Sequence, residues 1–127
     1  MVRKYNVIVE EDVRPLPEPH ELSAAVILAR YWRKDVYFVG RNLQMSADIR
    51  VDGIFWEIKS PIGGGKRTIQ NNLREATQQS RNIVIDLRRC KTPTERALSR
   101  VKYAAKSLRS IRRLVAVLDN KTVVDIK

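Results

Sequence analysis

Apolar and polar residues alternate on both sides of a central Asp-Gly pair, from Ala47 to Lys59. Alternation with a period of two is typical of a half-buried β-strand. Asp52-Gly53 suits the two-residue type I′ turn, which needs a positive φ at both positions. With these two residues as the loop, the sequence predicts a hairpin with four cross-strand pairs, namely Val51–Ile54, Arg50–Phe55, Ile49–Trp56 and Asp48–Glu57.

The two faces of this hairpin differ in character. One face is apolar, and the other holds two acids and a lysine. Two opposed carboxylates about 5 Å apart repel by roughly 3 kcal/mol at an effective dielectric constant near 20. A divalent cation between them would turn this repulsion into ligation. The alternative is a solvated face on which Arg50 or Lys59 neutralises the acids. The apolar face comprises Ala47, Ile49, Val51, Ile54, Trp56 and Ile58, and the polar face Asp48, Arg50, Phe55, Glu57 and Lys59.

Helical periodicity and short apolar runs predict the other elements. A helix over 19–33 is expected to bury Leu22, Ala25, Val26, Ala29 and Trp32. Two further helices are expected over about 69–80 and from a capping box at Thr92-Pro93-Thr94-Glu95. Strands are predicted over 5–10, 36–39, 82–87, 114–118 and 122–126, with a turn at Gly40-Arg41-Asn42.

This order of elements predicts a single-domain α/β protein in which helices pack on a mixed sheet. After the first strand the order is α-β-β-β-α-β, followed by an added helix and a C-terminal hairpin. A length of 127 residues agrees with one domain. Residues 1–17, in which prolines begin to alternate with other residues, are expected to form an N-terminal extension to a domain over 18–127.

Composition excludes several classes of site. A single cysteine, Cys90, rules out an intramolecular disulfide framework and a cysteine-rich zinc site. A single histidine, His20, argues against a histidine-built metal centre and against a two-histidine ribonuclease mechanism. No apolar run approaches the length of a membrane span, and the N-terminus lacks the apolar core of a signal peptide.

The net charge of +11 is concentrated in one segment. Residues 88–113 contain ten lysines and arginines against one acid, so they carry nine of the eleven positive charges. Such a field favours a polyanionic partner, nucleic acid first and an anionic membrane surface second. Four of these cations, spaced four, three and four residues apart, are predicted to share one face of the third helix. They are Lys102, Lys106, Arg109 and Arg113.

A glycine-rich loop over 60–68 follows the hairpin. It is not a Walker loop, because Arg67 follows Gly65-Lys66 and no glycine stands five residues before Gly65. Its amides and cations could still contact a phosphate, although a mobile connector is the alternative. Candidate phosphate or substrate contacts are Lys66, Thr68 and Gln79, each with a capping or solvent-facing role as the alternative.

The chain resembles the PD-(D/E)xK nuclease superfamily. The resemblance rests on an αβββαβ core with Asp48 on its second strand, Glu57-Ile58-Lys59 on its third, and Glu21 in the first helix. Ala47 stands where the motif has proline. Over roughly residues 18 to 118, the order and spacing of short segments resemble the C-terminal toxic nuclease domain of contact-dependent growth inhibition (CDI) proteins. These segments are His20-Glu21-Leu22, Ala47-Asp48-Ile49, Trp56 to Pro61, Thr68-Ile69 and Gln79 to Leu87.

The resemblance implies a metal-dependent site. Asp48 and Glu57 would bind Mg²⁺ or Mn²⁺, which favour oxygen donors, and Glu21 could hold a water on the metal. The metal would polarise the scissile phosphate and lower the pKa of a bound water. Lys59 would position that water or stabilise charge on the pentavalent phosphorane. An ion pair with Glu57 or Asp48 is the alternative for this lysine.

The expected function is that of a metal-dependent endoribonuclease, with tRNA favoured because the resembled toxin family often acts on tRNA. The alternatives are a DNA endonuclease with the same chemistry and a non-catalytic nucleic-acid-binding module. The resemblance also implies a cognate immunity protein, acidic enough to cover the basic face. It implies delivery as the C-terminal part of a secreted toxin and action in the cytoplasm of a target cell.

Overall fold

A computed structural model of the chain describes residues 4–40 and 47–127. Arg41 and Asn42 of the predicted turn lie outside the described residues. Within them the strands are β1 (Val7–Val9), β2 (Val36–Phe38), β3 (Ile49–Val51), β4 (Ile54–Lys59), β5 (Asn82–Asp86), β6 (Arg113–Val117) and β7 (Val123–Asp125). The helices are α1 (Pro19–Trp32), α2 (Thr68–Ala76) and α3 (Thr94–Ser107).

The strands form one mixed sheet in the order β1-β2-β3-β4-β5-β6-β7. β1 runs parallel to β2, the β2–β3 and β3–β4 pairs are antiparallel, β4, β5 and β6 are parallel, and β7 returns antiparallel to β6. The predicted mixed-sheet α/β architecture, with an added helix and a C-terminal hairpin, is confirmed. Residues 7–9, which the sequence placed in an N-terminal extension, form the edge strand of this sheet.

The β3–β4 hairpin has the predicted turn and register. Asp52 and Gly53 have φ values of 52° and 77°, as a type I′ turn requires. The ladder pairs Val51 with Ile54, Arg50 with Phe55 and Ile49 with Trp56, and it ends there. Asp48 donates its N–H to the carbonyl of Trp56 at 3.0 Å, so the predicted Asp48–Glu57 pair is not part of the ladder.

The sheet separates two layers of apolar side chains. α1 packs on one face, where the Trp32 and Trp56 rings lie 4.8 Å apart at 37°. α2 and α3 cover the other face. Ile49, Val51, Trp56 and Ile58 belong to the α1 layer, so the alternating Glu57 and Lys59 face the layer of α2 and α3.

Two local predictions were wrong. α1 buries Ala25 and Ala29 as predicted, but it also buries Ala24 and Leu28, whereas Leu22 and Val26 are 36% and 40% exposed. The buried stripe thus overlaps the predicted one at the two alanines and differs at its edges. The capping box before α3 is absent as well, because Pro93 is the N-cap residue and no side chain caps the helix.

The requirement for a positive φ at Gly53 can be tested by two substitutions. A Cβ at Gly53 would meet no atom within 4 Å, so Gly53→Ala should cost only the backbone strain of φ 77°, about 1 kcal/mol of unfolding free energy. Asn tolerates this region better, so Gly53→Asn should cost less. Urea unfolding checks the order; an alanine variant as stable as wild type would contradict the turn.

Candidate active site

Asp48, Glu57 and Lys59 meet where β3 begins and β4 ends. Glu57 and Lys59 project from β4 on the same face, two residues apart. Asp48, which directly precedes β3, accepts a hydrogen bond from the backbone N–H of Ile58 through its Oδ2 at 2.9 Å. Because Ile58 lies between Glu57 and Lys59, this bond brings the three predicted side chains to one place.

The three groups are withdrawn from solvent to different degrees. Glu57 is 1% exposed and Asp48 is 9% exposed. The Lys59 side chain, 17% exposed, places its Nζ 3.5 Å from Glu57 Oε2 and 3.2 Å from Glu75 Oε1. Lys59 thus bridges a buried carboxylate and an exposed one, and the ion pair anticipated as its alternative role is present.

Glu21 has a structural role at the start of its own helix. It is the third residue of α1, and its Oε1 accepts the backbone N–H of Glu18 at 2.9 Å, which is half of a capping box. Glu21 and Asp48 line the same cleft, which has a volume of about 190 Å³. The first-helix acid therefore caps its own helix and also lies in the cleft that reaches Asp48.

A buried ion pair ties the first turn of α1 to the end of β5. Asp86 is fully buried, and Arg88 donates Nε and Nη2 to its two carboxylate oxygens at 2.9 and 2.8 Å. Arg88 also donates to Ser23 Oγ at 2.6 Å and to the carbonyl of His20 at 2.9 Å. Asp86 also accepts the backbone N–H of Arg88 at 3.1 Å, and the sequence did not identify this pair.

The glycine-rich loop is held by hydrogen bonds to its neighbours rather than left as a free connector. The N–H of Lys91 donates to the carbonyl of Ile62 at 3.2 Å, and Arg100 Nη1 reaches the carbonyl of Gly65 at 3.4 Å. Lys66 is exposed. Thr68 does not take its alternative role as the cap of α2, because it is the first helical residue and Arg67 is the N-cap.

The prediction that four cations share one face of the third helix is wrong. α3 ends at Ser107, so only Lys102 and Lys106 lie on it, both exposed. Arg109 follows in the next turn. Arg113 opens β6, is half-buried, and donates to Asn82 Oδ1 at 3.2 Å. The four cations thus belong to three different elements.

Gln79 lies in the turn after α2. Its side-chain oxygen is buried, and within residues 4–40 and 47–127 no group donates a hydrogen bond to it. The next residue, Ser80, donates to the carbonyl of Phe55 at 2.9 Å, near the end of β4 opposite to Lys59. These contacts place Gln79 near the start of β5.

The chain matches the family model described as contact-dependent growth inhibition CdiA C-terminal domain, over residues 45–123. The chain belongs to this family. The matched part of the CdiA C-terminal domain includes Asp48, Glu57 and Lys59, whereas Glu21 lies before it. The domain is therefore a growth-inhibition toxin domain, which confirms the resemblance to the C-terminal toxin domain of CDI proteins.

The fold of this CdiA C-terminal domain is also found in a solved structure titled "CdiA-CT/CdiI toxin and immunity complex from Burkholderia pseudomallei". The TM-score is 0.66 at 19% identity, over 95% of this chain and 98% of that one. At that identity the likeness concerns the fold. A comparison with curated protein sequences gives no match, and no helix in the described ranges is long and apolar enough to cross a membrane.

The Asp86–Arg88 pair yields a stability prediction. Arg88→Ala would leave the fully buried Asp86 carboxylate uncompensated, which should lower the free energy of unfolding by about 3–5 kcal/mol. Arg89→Ala, one residue further and exposed, should change it by less than about 1 kcal/mol. Chemical denaturation of both variants checks this. Equal effects would show that the buried pair does not hold α1 to β5.

Proposed function

We propose that this domain is a metal-dependent endoribonuclease of the PD-(D/E)xK type, and that its toxicity results from hydrolysis of RNA, with tRNA as the favoured substrate. The observation that carries the proposal is the buried Glu57 beside Lys59, joined to Asp48 through the backbone of Ile58. This is the arrangement of two acids and a lysine that the superfamily motif requires.

The stability of the fold does not by itself explain why Asp48, Glu57 and Lys59 lie together. A buried ion pair commonly contributes no more than well-packed apolar residues of similar volume would, because both charges lose their hydration. The neighbouring buried positions of β4, Trp56 and Ile58, are apolar. A charged pair at the end of this strand is therefore better explained by chemistry than by packing.

The donor set fits a hard divalent cation. Asp48 and Glu57 offer carboxylate oxygens, which Mg²⁺ and Mn²⁺ prefer, and both carboxylates are shielded from bulk solvent. A bound cation of this kind supplies Lewis-acid polarisation of a phosphate and a nucleophile at neutral pH. Glu21, in the same cleft as Asp48, would hold a water molecule beside these two ligands.

Lys59 is suited to meet a phosphate. Its ammonium group lies at the boundary between buried Glu57 and exposed Glu75. A substrate phosphate can take the place of the Glu75 carboxylate, since that contact is at the surface and costs little to break. Lys59 would then stabilise the negative charge that develops on the phosphate during hydrolysis.

The distribution of charge supports a nucleic-acid substrate. Membership of the CdiA family supports a role as a toxin that is paired with an immunity protein. The basic segment over 88–113 would attract an RNA backbone from a distance. The Burkholderia relative is a toxin in complex with an immunity protein. We infer that this chain too has an immunity partner, with an acidic surface, and that it acts in the cytoplasm of a target cell.

Cleavage assays test the proposal. Wild-type protein should cut total tRNA into discrete, EDTA-sensitive fragments with Mg²⁺ or Mn²⁺, and Glu57→Gln should lower the rate by at least about a hundredfold. Glu75→Gln, which removes the exposed partner of Lys59, is the matched control and should retain cleavage. Cutting of plasmid or single-stranded DNA instead would assign a DNA endonuclease. Binding of nucleic acid without cutting would leave a binding module.

Metal binding can be measured without any substrate. Mn²⁺ at about a hundred times its Kd should stabilise the wild-type fold by about 2.7 kcal/mol. Glu57→Gln should lose most of this stabilisation, because one ligand carboxylate becomes a neutral amide. Thermal unfolding with Mn²⁺ and with EDTA checks both statements. The same Mn²⁺ effect in wild type and variant would remove Glu57 from the metal site.

A further inference from the structure

Arg89 is fixed beside the candidate active site by contacts from two directions. Its Nε donates to Ser60 Oγ at 3.1 Å, and its Nη2 lies 3.4 Å from the carbonyl of Ser60. Nη2 also contacts His20 Nε2 at 3.2 Å. Ser60 directly follows Lys59, so these bonds hold the guanidinium at the end of β4 that also carries the catalytic lysine of the proposed nuclease.

The preceding arginine shows what a purely structural role looks like here. Arg88 donates from Nε, Nη1 and Nη2, all to groups within the fold, and its side chain is only 15% exposed. Arg89 is exposed and uses Nε and Nη2. In the described part of the chain no hydrogen bond engages its Nη1, so the two N–H donors of this nitrogen are left for a ligand.

His20 supports this orientation. An arginine N–H can only donate, so His20 Nε2 must act as the acceptor, and the proton of the neutral ring then sits on Nδ1. Nδ1 lies 3.3 Å from Glu18 Oε2, an acceptor that suits this tautomer. The chain of contacts from Glu18 through His20 to Arg89 therefore fixes both the ring and the guanidinium.

We propose that Arg89 binds a backbone phosphate of the substrate next to the one that is cut, and that His20 is a positioning residue for it. This inference rests on the proposed nuclease function. A planar guanidinium with free, oriented donors matches a phosphate group better than a lysine does. The site would take any phosphodiester strand, and it lies at the same end of the sheet as Lys59.

RNA binding is measured in EDTA with Glu57→Gln present in every protein, so that no cleavage occurs. This measurement tests the role of Arg89 in binding separately from catalysis. Arg89→Gln should weaken tRNA binding about tenfold and lower the slope of log affinity against log salt by about one. Arg30→Gln is the matched control, since it removes the same charge from an exposed position about 15 Å along α1 from His20. It should change neither quantity to that extent. Equal effects of Arg89→Gln and Arg30→Gln would overturn the proposal.

Steady-state kinetics with Glu57 intact distinguish a role of Arg89 in substrate binding from a role in the cleavage step. A contact to a phosphate that does not react binds ground state and transition state alike, so Arg89→Gln should raise KM about tenfold with kcat within about twofold. A fall in kcat alone would overturn the assignment. If wild-type protein cuts no nucleic acid with any metal, the proposed function fails, whereas the binding measurement still decides whether Arg89 contacts phosphate.

His20 is tested through its coupling to Arg89. His20→Ala should weaken RNA binding, and His20→Gln should restore it, because the glutamine amide can accept from Arg89. Adding His20→Ala to Arg89→Gln should cause no further loss, since both remove the same contact. Fully additive losses, or no rescue by glutamine in proteins with unchanged unfolding midpoints, would show that His20 does not act through Arg89.

Discussion

The register of the β3–β4 hairpin is the constraint on which the candidate site depends. Because side chains alternate along a strand, a slip by one residue would exchange the two faces of β4. Trp56 and Ile58 would leave the α1 layer, and Glu57 and Lys59 would enter it. The Asp52-Gly53 turn, with φ positive at both residues, excludes that slip locally. The turn at one end of the hairpin thus determines which side chains meet at the other.

A second interaction brings the remaining site elements to the same end of the sheet. Arg88, beyond β5, reaches Asp86 on one side and the first turn of α1 on the other. Glu21 and His20 lie in that turn and owe their position to this pair. Fold stability and site geometry are therefore coupled here, because loss of the buried pair would remove the contacts that Arg88 makes with the start of α1, which carries the first acid.

The sequence predicted features that depend on neighbouring residues. It missed contacts that depend on the packing of distant parts of the chain. The hairpin turn, its register and the Glu57–Lys59 face follow from alternation and one Asp-Gly pair. The contacts of Arg88 with Ser23 and of Arg89 with His20 join residues more than sixty positions apart, and no periodicity encodes them. Periodicity found Ala25 and Ala29 in α1, but packing on the sheet buried Leu28 rather than Leu22 or Val26. The basic residues near α3 shared a helical spacing, but the helix ended before Arg109.

The consecutive residues Arg88 and Arg89 have different roles at this end of the sheet, one structural and one at the surface. After β5 the chain turns, so that Arg88 points into the α1 layer while Arg89 points along the surface towards Ser60. The inner arginine neutralises a carboxylate that would otherwise be costly to bury. The outer one is held by neutral acceptors only, so its positive charge remains uncompensated by these contacts. A fixed, uncompensated cation at the end of β4 that carries Lys59 lowers the electrostatic cost of bringing a polyanion to two buried carboxylates.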